Sequence, residues 1–218
     1  MLPGGIIPLC RTHLMIIEQP ARFLRWLYPH AVWRMGKKER AVYLTFDDGP
    51  IPEATPYVLD VLDQFDAKAT FFMVGENASR YPELLEEVRR RGHSVGNHTY
   101  NHIGGFRWSS WKYLYNVHKA NEILQTKLFR PPHGWMRAVQ YRTMRIFGYK
   151  VVMWDLVTRD YSCRLTAEDV LENVKRYARN GSIITFHDSL KSIDKLRKIL
   201  PDALQWLRGQ GYEFRRIE

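Results

Sequence analysis

An α/β fold, with a parallel sheet closed or nearly closed into one barrel, is what this sequence predicts. Three observations carry that expectation. Short β-branched or aromatic runs alternate with helical stretches from Ala41 to the C-terminus. About seven such units follow one another, which favours a barrel over an open doubly wound sheet. The chain has 218 residues, a length that suits one core.

The elements follow in order. Val42–Phe46 is the first strand, an apolar run ending on Asp47-Asp48-Gly49-Pro50, and Thr55–Phe65 is the helix behind it. Ala69–Val74 leads to the helix Pro82–Arg91. Pro82 suits a first turn, where a missing N–H costs nothing, and Arg91-Gly92 reads as a basic last turn with a glycine stop. His93–Gly96 precedes the helix Ser110–Leu124, and Lys127–Phe129 precedes Val139–Phe147. Gly148 then introduces the strand Tyr149–Trp154, followed by the helix Ala167–Ala178. Gly181 introduces Ser182–Phe186, which leads to the helix Leu196–Arg208 and a last strand, Tyr212–Ile217.

The barrel domain is therefore expected over 41–218, with an N-terminal extension and capping helix over 1–40. Gln19–Arg40 is basic and aromatic, with Phe23, Trp26, Leu27, Tyr28 and Trp33 among Arg22, Arg25, Arg34, Lys37 and Lys38. It is read as a helix plugging the barrel bottom in preference to a membrane-surface helix. Residues 1–14 show no periodic pattern and stand outside the fold argument.

Composition is that of an ordinary globular protein, 45% hydrophobic and 26% charged. Cys10 and Cys163 form no CxxC pair, so neither a disulfide framework nor a thiolate metal site is indicated. Net charge is +10, which favours anionic surroundings such as a membrane face or a phosphorylated glycan carrier. No nucleic-acid motif accompanies that charge, and no nucleic-acid partner is expected. Gly5–Ile17, the best apolar stretch near the N-terminus, is broken by Pro8, Arg11 and His13, and no positive charge precedes it. Neither a transmembrane segment nor a secretory signal is read, and the expected location is cytoplasmic or peripheral to a membrane. Glycine-rich phosphate loops of the GxGxxG or GxxxxGKS kind are missing after the first strand.

In a parallel barrel the strand C-termini open on one face, so polar residues just after strands converge there. Asp47 and Asp48 follow the first strand, His98 and His102 the third, and Arg130 the fourth. Asp155 and Asp160 follow the fifth, His187 and Asp188 the sixth. The two imidazoles of His98-Thr99-Tyr100-Asn101-His102 are four residues apart, so on one helical turn both project the same way and can bind one ion. By itself this spacing fits two structural histidines equally well. Asp48 completes a two-histidine, one-carboxylate set, which suits zinc or another divalent transition metal and leaves positions open for water and substrate. Asp47-Asp48-Gly49-Pro50 also fits a solvated turn, but it ends an apolar strand, and Asp47 beside a bound cation can take a separate role as a proton acceptor.

Thr45-Phe46-Asp47-Asp48-Gly49-Pro50 resembles the TFDDGP motif of the polysaccharide deacetylases, the NodB homology domain of carbohydrate esterase family four. His98-Thr99-Tyr100-Asn101-His102 is similar to their H[ST]xxH motif, Phe129-Arg130-Pro131-Pro132-His133-Gly134 to their third, and Ile183–Asp188, with His187, to their last. The resemblance implies a distorted (β/α)7 TIM-like barrel that removes N-acetyl groups from amino sugars of a peptidoglycan- or chitin-like glycan. It implies Asp48, His98 and His102 as ligands of a divalent metal, zinc first, with cobalt or nickel as alternatives. It implies Asp47 as general base, His187 as general acid, Arg130 holding Asp47 and Asp160 orienting His187. Substrate contacts are expected from Pro132, from the backbone N–H at His133 and from Tyr161. Among the tryptophans Trp108, Trp111, Trp135 and Trp154, Trp135, beside the third motif, is the one expected to face a sugar ring.

Three positions depart from the family pattern. His133 stands where the family usually has Tyr, Tyr161 where it normally has Trp, and Val157 replaces an acid often found there. These bear on the groove wall and so on substrate choice. Two other readings stay open: a deacetylase or deformylase of a lipid-carried amino sugar, and a catalytically inactive carbohydrate-binding relative.

Overall fold

The computed structural model of the protein describes residues 18–21 and 23–218. Residues 1–14, Cys10 among them, and Arg22 lie outside the described residues. The elements in chain order are α1 (Leu24–Leu27), β1 (Ala41–Asp47), α2 (Thr55–Gln64), β2 (Thr70–Met73), α3 (Gly75–Arg80), α4 (Pro82–Arg90) and β3 (Ser94–Asn97). There follow α5 (Ser110–Leu124), β4 (Leu128–Phe129), a 3-10 turn (Pro132–Gly134), α6 (Ala138–Ile146), β5 (Lys150–Val151) and β6 (Leu156–Val157). The chain ends with α7 (Ala167–Tyr177), β7 (Ile183–His187), α8 (Ile193–Gly209) and β8 (Glu213–Phe214).

Seven strands form a curled sheet in the order β5-β4-β3-β2-β1-β7-β6, and β8 pairs with the start of β1. Every strand pair is parallel. The two end strands, β5 and β6, do not pair with each other; the stretch Val152–Asp155 runs from one to the other. This is the expected distorted barrel, with one difference. The single fifth strand expected over 149–154 is broken in two: Val152 N–H bonds to Phe129 O on one side, and Asp155 N–H bonds to Ile183 O on the other.

Strand alternation sorts the side chains into two layers. Val42, Leu44 and Phe46 of β1, with Ile184 and Phe186 of β7, point outward into the large core beneath α2, α7 and α8. There Phe46 stacks between Phe71 and Phe186 at centroid distances of 5.1 and 5.7 Å. Full burial of each such side chain contributes about 1.5–3 kcal/mol. Tyr43 and Ile183 point inward and meet Ala41, Phe72, Leu128, Val152 and Ile217 in a separate cluster. Continued upward, the same alternation carries Thr45 and Asp47 of β1, and Thr185 and His187 of β7, toward the C-terminal mouth. An inward aspartate at a strand end is thus dictated by the period of two that buries Tyr43 below it.

The capping helix expected within 19–40 is reduced to the single turn Leu24–Leu27, which has no buried residue. Tyr28 and Trp33 supply the buried surface instead, and Val32 and Arg34 bridge to Val152 and Ser182 as extended chain. Inside the foot of the barrel sits Ile217, fully buried, its N–H bonded to Thr70 Oγ1 at 2.8 Å. No helix among the described residues is long and apolar enough to cross a membrane. Cys163 is a free, exposed thiol.

Candidate metal centre and active site

Asp48 follows β1 with a φ of 83°, a left-handed conformation costly for any residue but glycine. Its backbone is pinned from two sides. Asn77 of α3 donates Nδ2 to Asp48 O at 2.8 Å. The fully buried Asp188 accepts the Gly49 N–H at 3.1 Å and the Thr55 hydroxyl at 2.6 Å. A Cβ on Gly49 would fall 2.0 Å from Asp188 Oδ2, so only glycine admits that contact. Burial pushes the Asp188 carboxyl up to about 8, with Thr55 and Gly49 opposing and Asp48 reinforcing the rise.

His98 and His102 leave β3 on a loop, not on the helical turn that their spacing suggests. Thr99 and His102 have φ values of 65° and 54°, and the loop is held by bonds that only the tertiary fold supplies. The Gly75 and Glu76 N–H groups at the start of α3 donate to the carbonyls of Thr99 and Tyr100. Asn116 Oδ1 on α5 accepts from the Tyr100 and Asn101 N–H groups at 2.7 and 3.2 Å. The bent loop still brings the rings together, with centroids 5.1 Å apart. His98 is almost fully buried and turns Nδ1 to Arg130 O at 2.8 Å, which leaves Nε2 facing Asp48.

His102 Nε2 and His98 Nε2 lie 3.2 and 3.8 Å from Asp48 Oδ1, and one ligand atom from each of the three residues falls within 4.8 Å of the others. Asp48 Oδ1 is buried yet makes no hydrogen bond among the described residues. A buried carboxylate oxygen without a partner, opposite two imidazole nitrogens, fits a divalent cation. The protonation states agree. Burial, aided by the neighbouring His102 charge, drives His98 well below the ordinary imidazole range, giving the neutral ring that binds metal. Burial alone would raise Asp48, but the imidazoles of His102, His187 and His98 bring it below the ordinary carboxylate range.

Asp47, one residue earlier, points into the barrel and receives Arg130 Nη1 at 2.7 Å. Arg130 is fully enclosed, a costly place for a guanidinium unless its donors are satisfied. Here they are: Nη1 also reaches Thr45 Oγ1 and Thr185 Oγ1, Nη2 reaches Met153 O at 2.8 Å, Nε faces Val152 O, and the group lies over the Phe72 ring. Burial raises the Asp47 carboxyl against the pull of Arg130 and His187. Across the mouth, Asp160 receives both His187 Nδ1 and the His187 N–H, at 2.8 and 2.7 Å. Burial alone would lower the His187 imidazole; the buried Asp160 carboxylate reverses that and brings it up to about 9.

The remaining expected site residues form the rim. Pro132 is buried in the 3-10 turn, and His133, with a φ of 60°, is exposed, its ring 4.9 Å from that of His102. The turn's own bonds run from Gly134 N–H to Pro131 and from Trp135 N–H to Pro132, which leaves the His133 N–H outside them. Tyr161 sits edge-on to His187 at 4.7 Å. Trp135 packs near Phe106 at 6.3 Å. Trp154 is taken up by packing, its ring 2.2 Å from where a Cβ on Gly134 would stand.

Asp155 is a correction: it does not reach the mouth. The break in the fifth strand carries it to the level of Ile183, at the start of β7, where Arg179 and Ser182 bind it. Conversely, Asn77 and Asn116 position the site with no sequence signal to reveal them, and Asp188, a polar residue after a strand at the end of the last motif, carries no expected role in the sequence.

A family model described as polysaccharide deacetylase matches residues 34–152. A peptidoglycan-N-acetylglucosamine deacetylase of Bacillus cereus is 34% identical, over 85% of this chain and 90% of that protein. A chitooligosaccharide deacetylase of Azorhizobium caulinodans is 31% identical, over 71% of this chain and 77% of that protein. The crystal structure of the peptidoglycan N-acetylglucosamine deacetylase Bc1960 superimposes with a TM-score of 0.79 at 31% identity, covering 88% of this chain and 94% of that one.

Proposed function

The chain belongs to the polysaccharide deacetylase family, and from that premise we propose that it hydrolyses the N-acetyl group of amino sugars in a peptidoglycan- or chitin-like glycan, releasing acetate. One observation carries the reading: a buried, partnerless carboxylate oxygen on Asp48 faces His98 and His102, flanked by the pairs Asp47–Arg130 and His187–Asp160.

Asp48, His98 and His102 would hold the cation, zinc in our reading, with cobalt or nickel as substitutes. Such an ion supplies Lewis acidity toward the acetamide carbonyl and toward water. Asp47 accepts the proton of the attacking water, and Arg130 fixes the carboxylate so that one oxygen is always presented. The raised Asp47 carboxyl is a better proton acceptor than an ordinary aspartate. The His133 N–H donates to the developing oxyanion. His187, with Nδ1 committed to Asp160, offers Nε2 to the departing amine and arrives charged at neutral pH. Tyr161 and Trp135 wall the groove on either side.

Acetate release from N-acetylated chitooligosaccharides and peptidoglycan fragments, with stripped protein reloaded with zinc, cobalt or nickel, tests this directly. Asp47→Asn should retain metal and lose turnover by about 10²–10⁴-fold, whereas Asp48→Asn should lose metal as well. Wild-type turnover in Asp47→Asn would remove the base assignment. Glycan affinity without acetate release would make the chain an inactive relative, and turnover of only lipid-carried amino sugars would change the substrate class.

A further inference from the structure

The opposite end of the barrel carries a feature that the deacetylation chemistry does not use. A cleft of about 410 Å³ is lined by Gln19, Pro20, Arg25, Arg34, Lys37 and Arg179, four of them cationic. It lies at the foot: Arg34 bridges to Ser182, just before β7, and its Nε donates to Asn180 O at 2.7 Å. One buried carboxylate, Asp155, is nearby. It is engaged by Arg179 at 2.6 and 2.9 Å and lies 3.5 Å from Arg25. Arg34 and Lys37 have no carboxylate within ion-pair distance among the described residues, and the sequence 1–17 contains no Asp or Glu. Arg25 Nε is buried without a partner. Burial, then the charges of Arg179 and Arg25, disfavour the Arg34 cation. An anion seated in the cleft would relieve all of these at once.

Beside the cleft, the turn that carries Arg25 exposes large apolar side chains. Phe23, Trp26 and Leu27 are 54%, 81% and 52% exposed. Their i, i+3, i+4 spacing puts them on one side of the turn, and the packing of this segment is already supplied by Tyr28 and Trp33. Exposed Trp, Phe and Leu beside uncompensated arginine and lysine match the two halves of a bilayer interface, acyl boundary and phosphate headgroup.

We propose that the surface formed by this cleft and the adjoining turn docks on a bilayer containing anionic phospholipid, with a lipid phosphate among Arg25, Arg34 and Lys37 and with Phe23, Trp26 and Leu27 in the interface. The docking does not rest on the deacetylase reading.

The test is co-sedimentation of the full chain with phosphatidylcholine vesicles and with vesicles also containing phosphatidylglycerol, at low and high salt, with inorganic phosphate as competitor. The full chain should partition onto the anionic vesicles only, and less so at high salt. Trp26→Ser and Lys37→Glu should each lower partitioning about tenfold while leaving acetate release from a soluble substrate unchanged. Equal partitioning onto both vesicle types, none onto either, or wild-type partitioning by both variants overturns the docking. Displacement by phosphate together with indifference to Trp26→Ser also overturns it, in favour of a soluble-anion site. Vesicle binding without acetate release on any substrate leaves the docking standing and removes the deacetylase reading.

Discussion

His187 and Asp160 show how one buried pair sets the working pH. The imidazole, ordinarily near 6.5, stands at about 9 because Asp160 outweighs the cost of burial. A folded-state value above the unfolded one means that the pair's contribution to stability is complete below pH 6.5, fades above it, and is lost as pH passes about 9. The same sign applies to catalysis, since a general acid must carry its proton. In Asp160→Asn, burial loses its main opponent, with only Asp48 and Asp47 still favouring the charged ring, so the imidazole falls and the alkaline limb of the pH–rate profile should move to lower pH. NMR titration of the His187 ring should move with it. An alkaline limb that stays in place while the ring titration shifts would separate His187 from the acid role. Asp160 is in these terms a positioning residue, acting through the ring it holds.

At the scale of elements, β3 is shaped by what lies over it. Gly96 sits opposite Phe72, and a Cβ there would fall 2.4 Å from the Phe72 ring. That ring cannot simply swing aside, because it is fully buried and carries the Arg130 guanidinium at 4.1 Å. Gly96→Ala should therefore cost about 1–3 kcal/mol of stability, as overpacked cores do. It should also lower turnover by displacing Arg130 from Asp47. Urea unfolding and steady-state rates check both, and an unchanged midpoint with full activity would show that Phe72 has room to move. The neighbouring loop His98–His102 is the complementary case. Its left-handed residues are unfavourable locally and persist because α3 and Asn116 bind the intervening backbone.

Across the whole molecule, the barrel divides into a polar mouth and an apolar foot. Ile217 closes that foot among Ala41, Tyr43, Phe72, Leu128, Val152 and Ile183. Ile217→Ala should cost about 2–5 kcal/mol, and chemical denaturation of the full chain measures it. A cost near zero would mean that the foot is sealed by other groups. Activity per folded molecule should be retained, because Ile217 touches no group at the mouth.

Much of this was legible in the sequence. Strand-helix alternation placed the strands of the sheet, and the residues at their ends, Asp47, Asp48, His98, His102, Arg130 and His187, were readable because strand period and motif spacing are local properties. Distant packing decided the rest. It brought Asp155 to the foot by splitting one strand between two neighbours, replaced a helical turn by the bent His98–His102 loop, and reduced an expected helix over 19–40 to one turn. It also recruited Asn77, Asn116 and Asp188 as supports. Sequence periodicity records which face of an element is buried. Where a strand breaks, or how a loop bends, depends on hydrogen bonds to partners tens of residues away, and those exist only once the chain has closed on itself.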